Sequence, residues 1–314
     1  MTTFWTSSSI LLRETIFKGY IRNIEPLRIG SGREPPLGSL ADLAVLRIDY
    51  KGRSIPYIPG SSLKGVFRSS ATMLARSIGL NACSGLSKDV CTEIEKVVED
   101  ISEMKLGDAI EYNIKTGKTT EAMKKFYERA CLICKIFGSP YYLSKVYFSD
   151  AYPIGDYGEI LPFSLNTRTG IAIDRKTGAV YGGALYTVEF VEPDVRFKFM
   201  IHARNLPNYA LGLLSTIILM INNGEIKIGG FKTRGFGAVN IESLVFKSRD
   251  YPRTEGLRLV SLDRDKDREV DLSRVARLED NWLIAEEENA WKVLRMLEGL
   301  WYEFGKSSGC KKSP

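Results

Sequence analysis

The order of strand-like and helix-like segments constrains the fold of this chain more than any other feature. Thr15–Ile24 alternates apolar and polar residues and predicts a first strand, and Leu43–Tyr50 predicts a second. A helix follows from about Ser61, strand-like segments resume at Lys145, and Tyr209–Ile221 predicts an apolar helix before a last strand. This order predicts an α+β fold in which helices pack on an antiparallel sheet.

Two charged segments depart from this pattern. Residues 81–135 are polar and predict helices around a flexible turn, which is typical of an insertion. Residues 248–314 carry many charges of both signs and then predict a helix with apolar residues at helical spacing. We therefore predict a core over residues 1–247 that includes the insertion, and a C-terminal extension that packs back on the core or contacts a neighbouring molecule.

Size and charge limit the possible partners. With 314 residues, of which 44% are hydrophobic, the chain can bury a substantial core. No apolar segment reaches the ~18 residues of a membrane helix, and residues 1–10 lack the pattern of a signal peptide, so we expect a cytoplasmic protein with no membrane partner. The net charge of +6, from 44 Lys and Arg against 38 Asp and Glu, favours an anionic partner only if the cations cluster.

The segment YIPGSSLKGVFRSS, residues 57–70, places serines and cations at the start of a helix. A helix N-terminus presents free backbone N–H groups and a partial positive charge, which can hold a phosphate. The residues that add hydroxyl or cationic donors are Ser61, Ser62, Lys64 and Arg68. The spacing differs from that of a P-loop, so ATP hydrolysis is not expected. The alternative is a capped helix with two solvated cations, and the spacing alone does not choose between them.

A second basic segment, GGFKTRGFG at residues 229–237, is rich in glycine. Glycine lets the backbone approach a ligand closely, and two cations lie in the same turn. The candidate binding residues are Gly229, Gly230, Lys232, Arg234 and Gly235. The segment leads into a strand and not into a helix, which argues against a dinucleotide site. The alternative interpretation is a surface hairpin.

A third basic segment, residues 166–190, combines Arg168, Arg175 and Lys176 with nearby tyrosines. Cations and aromatic residues on a flexible hairpin suit contacts with a nucleic-acid backbone, and an exposed loop is the alternative. All three basic segments border one sheet in the predicted order of elements. Their coincidence favours RNA or DNA over a small phosphate ligand.

The cysteines suggest a metal site in the insertion. Cys131 and Cys134 form a C-x-x-C motif, and Cys83 and Cys91 lie at the other end of the insertion. Four thiolates can hold a structural zinc ion, although the spacing of the first pair is loose and buried free thiols are the alternative. We interpret the fifth cysteine, Cys310, as unrelated to this group.

Five segments, in this order, resemble signature segments of the RAMP superfamily: RIGSG, YIPGSSLKGVFRS, CLICKIFGS, AIDRKTGAV and GGFKTRGFGAV. More narrowly, they resemble the backbone subunit of type III CRISPR effector complexes, of the Csm and Cmr type in the Cas-seven group. The resemblance spans residues 16–244. It implies a modified RRM-like, ferredoxin-like core with a helical lid at residues 81–135 and a protruding thumb hairpin within residues 166–186.

The resemblance also implies a function. Copies or paralogues of such a subunit assemble with other effector subunits along a CRISPR RNA, with thumbs that interrupt the duplex between guide and target single-stranded RNA. The serine- and cation-bearing helix start and the glycine-rich turn would bind guide phosphates. Family members that cut the target use an aspartate in the loop before that helix, which implies Asp42, with Asp49 as the second choice. Cleavage would use the RNA 2′-hydroxyl and a divalent cation such as Mg²⁺ or Mn²⁺.

Two alternatives remain open from the sequence. The chain can be a structural RNA-binding subunit of the same complex that does not cut RNA. It can also be an endoribonuclease that processes the guide precursor, but that chemistry usually relies on a His or on Tyr and Lys. His202 is the single histidine and lies in a strand-like segment, so we interpret it as structural.

Overall fold

The computed structural model describes residues 5–30, 41–99, 102–263 and 265–308. Over these residues the helices are α1 (Gly60–Ser77), α2 (Cys91–Ile94), α3 (Leu106–Lys115), α4 (Thr119–Arg129), α5 (Leu132–Phe137), α6 (Asn208–Asn222) and α7 (Glu287–Ser308). The strands are β1 (Arg13–Asn23), β2 (Arg47–Tyr50), β3 (Arg53–Pro56), β4 (Lys96–Glu99), β5 (Ser102–Lys105), β6 (Val146–Phe148), β7 (Leu165–Ile173), β8 (Val180–Val191), β9 (Arg196–Arg204), β10 (Val239–Asp250), β11 (Arg258–Leu259), β12 (Val270–Asp271), β13 (Arg277–Glu279) and β14 (Trp282–Glu286).

Six strands form the central sheet in the order β13-β14-β10-β1-β9-β6, and adjacent strands are antiparallel. Four of them follow the chain order β1-α1-β6-β9-α6-β10. This β-α-β-β-α-β order is that of a ferredoxin-like fold. The predicted α+β fold with an antiparallel sheet is therefore confirmed, and its core has ferredoxin-like connectivity.

Helices α1 and α6 cover one face of this sheet. Along β1 the buried Phe17 and Ile21 face the helices, whereas Lys18 between them is exposed on the other face. Helix α6 is apolar on nearly all sides because it lies between the sheet and α7, where Trp301 is fully buried. Among the described residues, no helix is long and apolar enough to cross a membrane.

Residues 251–308 complete this core. Strand β14 pairs with β10 and so widens the sheet, while α7 packs along α6. Asp267 accepts hydrogen bonds from the backbone N–H groups of Asn208 at 3.0 Å and Tyr209 at 3.1 Å, and so caps the start of α6. The described part of the extension therefore belongs to the sheet and to the helix layer.

The insertion and one hairpin project from the core. Within residues 81–135 the helices enclose a second apolar cluster that includes Leu106 and Phe126. Strands β7 and β8 pair to form the hairpin, and the predicted thumb region, residues 166–186, lies within it. Apolar side chains towards its tip are exposed, with Ile173 57% and Leu185 65% accessible.

Candidate nucleic-acid interface

A groove of about 400 Å³ lies between α1, the turn after α6 and the segment after β1. Its lining residues are Arg28, Ile29, Gly30, Ser62, Gly65, Val66, Ser69, Gly229, Gly230 and Lys232. Gly229 has a φ of +87°, and a Cβ there would lie 2.5 Å from the carbonyl oxygen of Arg28. The backbone N–H of Gly230 donates to the same oxygen at 2.9 Å. Glycine at position 229 therefore permits the close contact that forms one wall of the groove.

Three arginines beside the groove contact aromatic rings. The Cζ atoms of Arg28 and Arg234 lie 5.4 and 5.5 Å from the ring centroid of Phe231. Arg168 lies 5.1 Å from the ring of Phe236. None of these arginines has a carboxylate partner among the described residues. Aromatic faces hold the guanidinium groups and leave their charge available to an external anion.

The base of the thumb is joined to this group. Arg234 donates a hydrogen bond from Nη1 to the hydroxyl oxygen of Tyr186 on β8 at 2.7 Å. The ring of Tyr186 lies over Gly170 of β7, where a Cβ would overlap it. Arg168 extends from the same hairpin. The glycine-rich turn, the thumb base and the groove thus form one surface.

Asp42 lies at the edge of β8 on this surface. Its Oδ2 accepts a hydrogen bond from the backbone N–H of Thr187 at 2.7 Å, and Leu43 forms a parallel bridge with Val188. The side chain of Asp42 is exposed, and its hydrogen-bond donor Thr187 follows Tyr186 in β8. Asp49 differs, because its carboxylate accepts from Gly52 N–H at 3.0 Å within the turn between β2 and β3.

The start of α1 differs from the expectation of free backbone N–H groups. The N–H of Gly60 donates to Oδ1 of Asp150 at 2.7 Å, and those of Ser62 and Leu63 donate to the carbonyl oxygen of Pro59. A carboxylate from a remote loop therefore caps the helix. Ser62 still lines the groove, whereas Ser61 is exposed and is not among the lining residues.

The two cations of α1 lie in different environments. Lys64 is half-buried and has no ion pair within the described part of the chain, and burial, followed by the charge of Arg68, lowers its pKa. Arg68 donates from Nη1 to the carbonyl oxygen of Gly138 at 2.8 Å and lies 3.6 Å from Sγ of Cys134. The structure therefore places Arg68 against the insertion and not in the groove.

Arg175 and Lys176 lie at the tip of the thumb, where both are exposed. The backbone N–H of Lys176 donates to Oδ1 of Asp174 at 2.7 Å in the tight turn. Arg175 is seven residues beyond Arg168, which is about 20 Å along a strand. These two cations extend the basic surface outwards but do not line the groove.

The structure brings four cysteines of the insertion together. The Sγ atoms of Cys83, Cys91, Cys131 and Cys134 lie within 4.8 Å of one another, and Cys83 is 3.2 Å from Cys134 and 3.7 Å from Cys131. Tetrahedral zinc, with Zn–S bonds of about 2.3 Å, separates its sulfur ligands by about 3.8 Å, so the four residues fit this ion. The contact with Cys131 raises the pKa of Cys83, and the contacts with Cys134 and Cys91 outweigh it, so this pKa lies below the ordinary value of a thiol. Cys310 lies outside the described residues.

His202 lies away from the groove, on the opposite face of the sheet. Its neighbours Ile201 and Ala203 are buried towards the helices, and its own Nε2 is 3.3 Å from Oε1 of Glu14. Burial lowers the pKa of His202, and the charge of Glu14 opposes this shift. This histidine is part of a charged network on the outer face, as expected for a structural residue.

A family model of the RAMP superfamily matches residues 20–240 of the 314-residue chain. The chain belongs to the RAMP superfamily. A comparison with curated proteins gives no match. One solved structure, described as "Cryo-EM structure of the Type III-B Cmr-beta bound to cognate target RNA", has 17% identity and a TM-score of 0.41, with coverage of 74% of this chain and 60% of that chain. The RAMP chain thus spans about 60% of the length of that protein.

The RAMP match includes the groove, the thumb and the four cysteines, but not α7. The sequence patterns predicted cations in the glycine-rich turn and in the hairpin of β7 and β8, and they did not predict the contacts of Arg28 and Arg234 with Phe231 or of Arg168 with Phe236. Arg28 lies in the RIGSG segment, which the sequence analysis identified, but Arg28 was not predicted as a candidate binding residue. The pairing of arginines with phenylalanines between distant segments gives no local signal, since it depends on the tertiary fold.

Proposed function

We propose that this RAMP protein binds single-stranded RNA along the groove and the thumb base, as the CRISPR RNA-binding backbone subunit of a type III effector complex. The observation that carries the proposal is the group formed by Arg28, Arg168 and Arg234, which have aromatic contacts and no described carboxylate partner. Guanidinium groups bind phosphate oxygens through paired hydrogen bonds, and a guanidinium already fixed by a ring loses less conformational entropy on binding.

The proposed RNA contacts are made to the phosphate backbone. Ser62, Lys232 and Gly230 line the groove. Lys64 lies on α1 with Ser62 and has no ion pair in the described part of the chain. Phosphate contacts position a strand without reading its bases, so binding should be independent of guide sequence and sensitive to salt. The proposed partners are CRISPR RNA, target single-stranded RNA, other effector subunits and copies or paralogues of this chain in the cytoplasm.

We further propose that Asp42 supports cleavage of the target RNA. The backbone N–H of Thr187 fixes one carboxylate oxygen, which leaves the other oxygen available for a divalent cation such as Mg²⁺ or Mn²⁺. Such a cation, when bound, would stabilise the charge that develops on the phosphate. A 2′-hydroxyl oxygen would attack the adjacent phosphorus, lose its proton and displace the 5′-oxygen, giving a 2′,3′-cyclic phosphate and a 5′-hydroxyl.

A non-catalytic RNA-binding subunit is the second candidate. The hydrogen bond that fixes Asp42 to Thr187 also gives this carboxylate a structural role at the thumb base. A guide-processing nuclease has less support, because His202 lies on the other face of the sheet from the groove.

Fluorescence anisotropy with a labelled single-stranded RNA tests the binding proposal. The slope of log K against log salt is negative, and each lost phosphate contact reduces its magnitude by about 0.7. The variant with Arg28, Arg168 and Arg234 all replaced by Met should therefore have a slope smaller in magnitude by about 2. Arg277→Met is the matched control, because Arg277 pairs with Glu279 and Glu286 at the far edge of the sheet. An unchanged slope in the triple variant refutes the proposed interface.

Cleavage is tested in a complex assembled with guide and target RNA. Asp42→Asn should abolish cutting of the target while RNA affinity stays within about twofold, and a single 2′-deoxy nucleotide at the cut site should block the wild-type reaction. Unchanged cutting by Asp42→Asn would remove the catalytic role. Absence of cutting by the wild-type complex would favour the non-catalytic subunit.

We also propose that the four cysteines hold one structural zinc ion. Elemental analysis of the purified chain should give one zinc per molecule, and Cys83→Ser and Cys134→Ser should each lower the zinc content. Cys310→Ser is the control, because Cys310 is not one of these four cysteines. A wild-type chain without zinc after growth in zinc-containing medium would contradict the proposal.

A further inference from the structure

Helix α1 faces the groove on one side and the cysteine cluster on the other. Ser62, Gly65, Val66 and Ser69 line the groove at helical spacing. Arg68 and Arg76, eight residues apart, point towards the insertion. Arg76 donates two hydrogen bonds, at 2.8 and 2.6 Å, to the carbonyl oxygen of Ala82, the residue before Cys83. One helix therefore connects the proposed RNA site with the proposed metal site.

The site around Arg68 is built to hold its guanidinium group. Nη1 donates to the carbonyl oxygen of Gly138 at 2.8 Å, and Nη2 lies 3.6 Å from Sγ of Cys134. Gly85 packs directly against the guanidinium, where a Cβ would overlap it. The buried Nε has no hydrogen-bond partner in the described structure. Arg68 is thus fixed in place by the two segments that carry Cys83 and Cys134.

The charge of Arg68 has no carboxylate to balance it within the described residues. A site in which four thiolates bind a divalent ion has a net charge of −2. A thiolate ligand accepts a stronger hydrogen bond from a cation than a thiol does. Hydrogen bonds from neighbouring residues commonly orient metal ligands and are in turn fixed by the metal. Metal in the cluster would therefore strengthen the contact of Arg68 with Cys134.

We propose that Arg68 is a positioning residue that couples metal occupancy of the four-cysteine cluster to the affinity of the groove for single-stranded RNA. The inference rests on the proposed function, and it assigns Arg68 no direct contact with RNA. Metal binding fixes the Arg68 side of α1, and the same helix then presents Ser62 and Ser69 to the groove in one orientation. Because coupling between two sites is reciprocal, RNA binding increases metal affinity by the same factor.

The test is a thermodynamic cycle on the full-length chain. RNA affinity is measured by anisotropy with one equivalent of Zn²⁺ and again after removal of the metal by a chelator under reducing conditions. The wild-type protein should lose at least fivefold in affinity without Zn²⁺, in the usual range of coupling between sites. Arg68→Met should bind RNA with an affinity that no longer depends on Zn²⁺, and Arg277→Met should behave like the wild-type protein.

Salt dependence separates positioning from direct contact. In the zinc-loaded state, Arg68→Met should keep the wild-type slope of log K against log salt. A slope smaller in magnitude by about 0.7 would identify a direct phosphate contact and overturn the inference. If Arg68→Met does not retain zinc, Arg68→Lys replaces it in the test. Lysine keeps the charge but cannot contact both the carbonyl oxygen of Gly138 and Sγ of Cys134. The effect of Zn²⁺ on the RNA affinity of Arg68→Lys should therefore be less than half that of the wild-type protein. The coupling is refuted, and the proposed function is not, if Zn²⁺ changes the RNA affinity of these variants as much as that of the wild-type protein. The same conclusion follows if the wild-type chain binds RNA with an affinity that does not depend on Zn²⁺. A wild-type chain that binds no RNA refutes the proposed function as well.

Discussion

Replacing Gly212 by alanine tests whether the C-terminal helix belongs to the core. Gly212 lies in the middle of α6, where it faces α7. A Cβ at this position would overlap the carbonyl oxygen of Leu297 and would lie 3.1 Å from the backbone nitrogen of Trp301. Both obstacles are backbone atoms of a helix, so neither can rotate away. The two helices must move apart to admit a methyl group.

Helix propensity and packing predict opposite signs for this change. Alanine is favoured over glycine in a helix interior by about 1 kcal/mol. Overpacking a buried contact costs about 1–3 kcal/mol, and separation of the helices also weakens the packing of Leu297 and Trp301, both fully buried. We expect packing to dominate and Gly212→Ala to lower the free energy of unfolding by about 1–2 kcal/mol.

Gly299→Ala is the matched control for this measurement. Gly299 lies within α7, is exposed, and a Cβ there would have no neighbour within 4 Å. Its replacement should raise the free energy of unfolding by about 0.5–1 kcal/mol in urea titrations followed by circular dichroism. If Gly212→Ala stabilises the protein as much as the control does, then α7 does not pack on α6 as described.

Three other perturbations follow from the structure. Asp150→Ala removes the carboxylate that caps α1 and should lower the free energy of unfolding by about 1 kcal/mol in the same titration. Burial, followed by the charge of Arg204, lowers the pKa of Lys145 from an ordinary 10.5 to about 8. Between these values the unfolded chain keeps the proton that the folded state has lost, so the free energy of unfolding should rise by about 1.5 kcal/mol between pH 8 and 9.5. Lys145→Met should abolish that rise, and a rise of equal size in the variant would exclude Lys145 as its cause. Gly229→Ala should weaken RNA binding because its Cβ would collide with the backbone of Arg28. Gly256→Ala, with a φ of +67° and no neighbour within 4 Å, should leave RNA binding unchanged.

Local patterns were sufficient to predict most of the fold. The alternation along β1, the apolar helix α6 and the order of elements predicted an α+β fold with an antiparallel sheet, and that prediction is confirmed. The same patterns did not predict that β14 would join the sheet beside β10. A short strand in a charged segment has little periodicity, and its pairing is determined by the exposed edge of a strand more than thirty residues away.

The candidate site was predicted less completely, and the reason is visible on one helix. Spacing identified Lys64 and Arg68 as cations near the start of α1. It could not show that Arg68 turns to the carbonyl oxygen of Gly138, which follows the insertion in the chain. Nor could it show that Asp150, ninety positions after Gly60, caps the helix that had been expected to offer free N–H groups. Helical periodicity shows which residues share a face, but the tertiary fold decides what that face contacts.

Whether a cation can bind an external anion depends on which carboxylates reach it. Arg47 is neutralised by Glu189, 142 residues away in sequence, and Arg249 by Glu14 at 2.6 Å. Pairs of this kind neutralise basic residues locally and remove them from consideration as RNA ligands. Arg168 and Arg234 remain available because aromatic rings, and not carboxylates, hold their guanidinium groups. The wild-type protein should therefore bind a neutral RNA analogue with methylphosphonate linkages more weakly than it binds RNA. The variant with Arg28, Arg168 and Arg234 replaced by Met should bind the analogue and RNA with nearly equal affinity. Equal discrimination by both proteins would mean that the phosphates are bound elsewhere.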